Sequence, residues 1–239
     1  MTNGIRSSRS CILAGISGIC GVLLLGLSFA INTGAPTGAN DAQLLEFAQH
    51  NYSQVLWGAW LQAVGPALIA LFAFSLVHMA GAERRLAGWM TFFGTASLMT
   101  VSLIEVTFYI SALHQQPPAM GATSLAVISA VQHLYFVIAA PAVFLPLGII
   151  LEGSDVLPRL FGHLAIALAI LFFAFGALYM LTLTLPDPVT ALGAVQALWW
   201  LAAAVALILR RNRYLKQSSN STRNLSIQAW SESDGSDTG

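Results

Sequence analysis

The sequence predicts an all-α fold, a polytopic bundle of six transmembrane helices with both termini in the cytoplasm. Three observations lead there. Of the 239 residues, 56% are hydrophobic and only 8% charged, whereas an ordinary soluble domain carries about a quarter charged residues. The few charges cluster between apolar runs of roughly 20 residues or more, the length needed to cross about 30 Å of hydrocarbon. The basic residues also alternate from one connector to the next, which fixes an orientation.

The expected spans are Ile12 to Ile31, Gln54 to Met79, Leu86 to Leu113, Ala122 to Leu151, Leu160 to Thr184 and Val189 to Leu209. Arg6 and Arg9 precede the first span, Arg84 and Arg85 follow the second, and Arg159 follows the fourth. Arg210, Arg211, Arg213, Lys216 and Arg223 come after the sixth. No Lys or Arg follows the first, third or fifth span, so by the positive-inside rule the basic side is the cytoplasm. Residues 1–11 form a cytoplasmic N-terminus, 12–209 the six-helix domain and 210–239 a cytoplasmic tail. That tail is too polar and Ser- and Asn-rich to bury enough surface to fold, so disorder is expected.

Between spans, the longest connector on the outer side runs from Asn32 to Ser53, and Pro117 and Pro118 mark a tight polar turn in the third connection. Trp57, Trp60, Trp89, Trp199 and Trp200 fall near predicted span ends, where indole rings commonly anchor. Arg6, Arg9, the first apolar stretch and Ser28-Phe29-Ala30 also resemble a secretory signal with a small-residue cleavage site. The apolar run is long for such a signal, which favours an uncleaved helix. Cys11 and Cys20 lie nine residues apart on that helix, about 13 Å, and cannot pair within it.

A weak internal echo runs through the middle of the chain. Arg85-Leu86-Ala87-Gly88 and Arg159-Leu160-Phe161-Gly162 both open a helix after a cytoplasmic turn, with Pro66 and Pro141 at nearly equal distances before them. The two hairpins they close would be parallel repeats, as found in some transporters.

Glu105 is the acidic residue set well inside an apolar span, where a charge costs from a few kcal/mol upward, so it must face the bundle interior. It belongs to a polar stripe of Thr91, Thr95, Ser102, Glu105 and Tyr109, whose steps of three and four keep one helix face. Tyr109 is within reach of a hydrogen bond to Glu105. Gln132 and His133 on the fourth span, Gln62 on the second and Gln196 on the sixth share its depth. At 1.5 Å per residue, all lie roughly 10 to 16 Å below the outer surface. Pro66 and Pro141 add to this layer by leaving the carbonyls of Gln62 and Val137 without their helical donors.

Two readings of the layer stand side by side. In one it forms an outward-facing polar cavity, with Glu105 and His133 as the ionisable pair, that binds a small solute or cation or passes a proton. In the other Glu105, hydrogen-bonded to its neighbours, holds helices together as a structural partner of a membrane complex. A third class, a haem- or metal-binding redox protein, rests on His78 and His163 near the cytoplasmic ends of the second and fifth spans, at the depth of axial ligands. His50, His114 and Glu46 lie at outer boundaries without diagnostic metal spacing.

Gly15-Ile16-Ser17-Gly18 has the form of the Gly-x-Ser-Gly of rhomboid intramembrane proteases. It lies on the first span, however, and the last span offers no histidine as base, so small-residue packing is the better account. No span contains lysine, which excludes a retinal Schiff base, and no phosphate loop, HExxH or CxxC occurs. Neither a basic surface nor arginine-aromatic interleaving appears outside the tail, so nucleic acid is not an expected partner. The expected partners are the lipid bilayer and a second membrane protein or another copy of the chain. No enzymatic activity and no cofactor are expected.

Leu157-Pro158-Arg159-Leu160-Phe161-Gly162, entering the fifth span after a short turn, resembles a recurring feature of uncharacterised six-span bacterial membrane proteins. That resemblance implies a multi-pass protein of the bacterial inner membrane and supplies no catalytic residues. The pattern has its own physical sense, since proline starts a helix, arginine stays among headgroups and glycine permits close packing.

Overall fold

The computed structural model describes residues 2–32, 43, 46–47, 50–114, 123, 127, 130–131, 134–182 and 191–210. Among these, the chain is helical with no strand, and six helices are long and apolar enough to cross a membrane. It is a multi-pass membrane protein. The helices are α1 (Thr2–Ile31), α2 (Tyr52–Met79), α3 (Leu86–His114), α4 (Ala140–Glu152), α5 (Arg159–Thr182) and α6 (Ala191–Arg210). The π-helical turn Tyr135–Ala139 leads into α4. The Pro117-Pro118 turn, most of the Asn32–Ser53 connector and the polar tail lie outside the described residues.

Sequence neighbours pack as spatial neighbours: α1 on α2, α2 on α3, α3 on α4, and α4 on α5. Lipid offers no hydrophobic drive between helices, so van der Waals fit and interhelical hydrogen bonds hold the bundle. Small residues provide that fit. A Cβ at Gly21 would stand 2.9 Å from the Gly65 carbonyl oxygen, and one at Gly94 only 2.3 Å from that of Ala142, so α1–α2 and α3–α4 meet backbone to backbone. Ser17 Oγ donates to the Leu68 carbonyl at 2.8 Å, which makes Gly15-Ile16-Ser17-Gly18 a packing motif.

Helix α2 carries apolar residues on all sides, one face packed on protein and the other, with Trp57, Trp60 and Leu71, turned outward. Ile69, Ala70, Phe72, Ala73, Leu76 and Val77 are all buried. An aromatic cluster completes the core. Phe72 meets Trp200 edge-on at 5.9 Å between ring centroids, Phe144 meets Trp199 at 5.2 Å, and the two tryptophans meet each other at 4.9 Å. Trp57, Trp60 and Trp89 are exposed, as anchoring residues are. Trp199 and Trp200 are not, which corrects the expectation that they sit at the interface. They occupy the inward face of α6, and Trp199 Nε1 donates to the Phe161 carbonyl at 3.1 Å.

The close approaches of Cys11 Sγ to Met79 Sδ at 3.5 Å, of Gly15 to Ile208, and of Gly94 to Ala142 bring the turns 80–85 and 153–158 to one end of the bundle. Arg6, Arg9, Arg84, Arg85, Arg159 and Arg210 lie at that end.

The two prolines of the supposed repeat act differently. Helix α2 runs through Pro66 as an ordinary α-helix. Before Pro141 the chain widens instead into the π turn, with the Ala140 N–H donating to the Tyr135 carbonyl five residues back. A proline cannot serve the carbonyl four residues earlier, and a π turn is one way a helix absorbs that defect.

Candidate functional site

Toward the end of the bundle away from the arginines, α1, α2, α3, the π turn and α6 enclose a cavity of about 490 Å³. Gln62, Ser102, Glu105 and Gln196 stand on its wall with Tyr135. All four of the first group are buried, Glu105 being 7% and Gln62 3% exposed. Glu105 is the only residue carrying a formal charge among the described lining residues.

Three hydrogen bonds engage the polar groups, two of them linked through Gln62. Gln62 Nε2 donates to Glu105 Oε2, tying α2 to α3 in the interior. Ser102, one turn before Glu105, donates its hydroxyl to the Gln62 backbone carbonyl at 2.6 Å. That is the carbonyl Pro66 leaves without a helical donor, so the proline's defect is repaired by the neighbouring helix. Across the cavity, Tyr135 Oη donates to Gln196 Oε1 at 2.5 Å, joining the π turn to α6. Two of the polar side chains of α3 turn elsewhere: Thr91 and Thr95 donate to their own helix, to the Ala87 and Thr91 carbonyls, both at 2.9 Å.

The structure thus brings Gln62, Glu105 and Gln196 to one cavity wall. Tyr109 lies one turn beyond Glu105, half-buried and outside the lining. Gln132 and His133 fall outside the described residues. Tyr135 and Ser102 were not singled out as site residues by sequence. Ser102 carried a signal, its place on the polar stripe, whereas Tyr135 in an apolar run carried none beyond its distance from Pro141.

His78 and His163 lie at the arginine end, exposed, each beside a carboxylate. His78 Nδ1 is 2.5 Å from Glu83 Oε1, and His163 Nε2 is 3.4 Å from Glu152 Oε1. His163 Nδ1 is also 2.9 Å from the Arg159 carbonyl. The Glu83 carboxyl is held below the usual carboxylate range, chiefly by a backbone hydrogen bond and then by His78. Among the described residues no group of three or more His, Cys, Asp or Glu is placed to hold a metal ion. Glu46 and His50 are exposed.

No family model, no curated protein and no solved structure matches this chain.

Proposed function

We propose that this protein binds a small ligand within the membrane, in the cavity beside Glu105, as a small-solute or ion transporter or an accessory component of one. The observation that carries this reading is a buried carboxyl on the wall of a cavity of about 490 Å³. That volume lies within the 300–1,000 Å³ or so typical of small-molecule sites, which are mostly apolar with a few convergent polar groups. Intramembrane carboxyls mark solute and ion pathways for the same energetic reason. With the arginine end in the cytoplasm, the cavity belongs to the outer half of a bacterial inner membrane.

The Gln62–Glu105 and Ser102–Gln62 hydrogen bonds favour a second reading, in which the polar groups join α2 to α3 and nothing more. Dicyclohexylcarbodiimide, an apolar reagent for carboxyl groups, separates the two in proteoliposomes. A ligand-accessible cavity leads to labelling of Glu105, with Glu105→Gln as the unlabelled control. If the folded protein leaves Glu105 unlabelled while Glu105→Gln sharply lowers thermal stability, the interhelical role alone is correct.

A further inference from the structure

Two tryptophans stand side by side on the inward face of α6, and their N–H groups fare differently. Trp199 Nε1 donates to the Phe161 carbonyl at 3.1 Å. Trp200 is buried more deeply, only 1% exposed, yet its Nε1 has no hydrogen-bond partner. A buried donor in that position has lost water without a replacement, and native interiors hold few of them. The rings of Phe72, Phe144 and Trp199 surround the indole at centroid distances of 5.9, 5.2 and 4.9 Å. Ring faces are weak acceptors, so the stranded N–H favours any oxygen that a small side-chain movement brings to it.

One such oxygen lies a turn earlier on the same helix. Gln196 and Trp200 are four residues apart, both are buried and both line the cavity, so they share one face of α6. Long side chains on a helix lean back over the preceding turn, which carries the Trp200 indole toward Gln196. The Gln196 oxygen is engaged with another donor, the Tyr135 hydroxyl, at 2.5 Å. The last side-chain torsion of glutamine is soft and roughly two-fold, so its oxygen has two donors to choose between. Tyr135 belongs to the π turn, a kind of helix defect that recurs at functional sites. The turn is pressed against α5, where a Cβ on Gly176 would lie 2.9 Å from the Phe136 carbonyl carbon. Its described hydrogen bond to α6 is the one between Tyr135 and Gln196.

We infer that Gln196 is a two-position latch. With its oxygen on Tyr135, α6 and the π turn are joined and the Trp200 N–H is unpaired. With its oxygen on Trp200, that buried donor is satisfied and Tyr135 is released from α6. One interhelical bond is exchanged for one within α6, so the seam parts more easily than it would if the bond were broken without replacement. Two arrangements so closely balanced make a bistable element on the cavity wall. The latch needs no ligand and stands apart from the binding reading above.

The Trp200 N–H reports the position of the latch. The full chain, isotope-labelled at its indole nitrogens, is placed in lipid nanodiscs, and the Trp200 indole resonance is assigned by its loss in Trp200→Phe. Hydrogen bonding moves such a resonance downfield. Tyr135→Phe removes the competing donor and keeps the ring contacts with Phe136 and Phe172 at 5.1 and 6.0 Å, and it should move the Trp200 resonance downfield from its native place. Adding Gln196→Leu to that variant should return it upfield, to the unpaired position. A Trp200 resonance that Tyr135→Phe leaves where it is in the native protein overturns the inference. A downfield shift that survives in the double variant overturns it too, since the acceptor would then be an oxygen other than that of Gln196.

Discussion

Replacing Gln62 and Glu105 by leucine, singly and together, measures how far their hydrogen bond holds the bundle. Gln62 donates to Glu105 in the interior, and each side chain is nearly inaccessible. Glu105→Leu removes the acceptor from a buried amide, and Gln62→Leu removes this one donor from the carboxyl; interhelical hydrogen bonds in membranes average about 0.6 kcal/mol and reach about 1.7, and a loss of that size is expected from either change. Gln62→Leu leaves the Ser102 hydrogen bond in place, because that bond goes to the backbone carbonyl of residue 62. The double variant loses the same bond only once and should cost no more than either single, so the coupling energy from the cycle, the two single losses less the double, should also fall at about 0.6–1.7 kcal/mol. Reversible unfolding in mixed micelles gives the four stabilities. A coupling indistinguishable from zero would refute the geometry, since it would mean that the two side chains do not meet in the folded bundle.

Three further perturbations probe the parts that shape the cavity. Gly94→Leu places a side chain against the Ala142 backbone, which has no flexible end to yield, so α3 and α4 must separate; unfolding should show a loss of about 3 kcal/mol or more, the upper end for overpacking. Pro141→Ala restores an N–H for the Val137 carbonyl and removes the cause of the π turn, so Tyr135 should leave Gln196. Tyr135→Phe, which should destabilise the native protein by about 0.6–1.7 kcal/mol, becomes neutral in that background. A persistent cost there would show that the turn does not depend on the proline. The third concerns Glu83, whose carboxyl is stabilised in its ionised form in the folded state. A lowered folded-state pKa contributes stability above the unfolded value, and this is lost as pH falls through the folded value. The melting temperatures of the native protein and Glu83→Gln should therefore differ slightly near neutrality and converge in acid below the usual carboxylate range. A gap that widens on acidification would contradict the contact.

The six helices were readable from the sequence because lipid imposes a minimum length and excludes charge, so Arg84, Arg85 and Arg159 punctuate the chain where it turns. Counting residues from the span ends also placed Gln62, Glu105 and Gln196 at a common depth, and the structure brings these three to one cavity. Counting gives depth but no rotation about the helix axis. Trp199 and Trp200 therefore looked like interfacial anchors when their side of α6 faces Phe144 and Phe72. Pro141 announced a defect without saying how it would be absorbed; the π turn that absorbs it presents Tyr135 to Gln196, a pairing with no periodic signature. The sequence likewise does not distinguish the glycines at 21 and 94, packed against neighbouring backbone, from those at 26 and 193, where an added Cβ would meet no described atom within 4 Å.

The central claim, that the cavity beside Glu105 admits a small molecule within the membrane, is tested most directly by labelling. Proteoliposomes of the native protein and of Glu105→Gln are treated with dicyclohexylcarbodiimide, and the modified residue is located and counted by mass spectrometry. The account predicts modification of the native protein at Glu105 and none at that position in Glu105→Gln. A folded native protein in which Glu105 is never modified would contradict it.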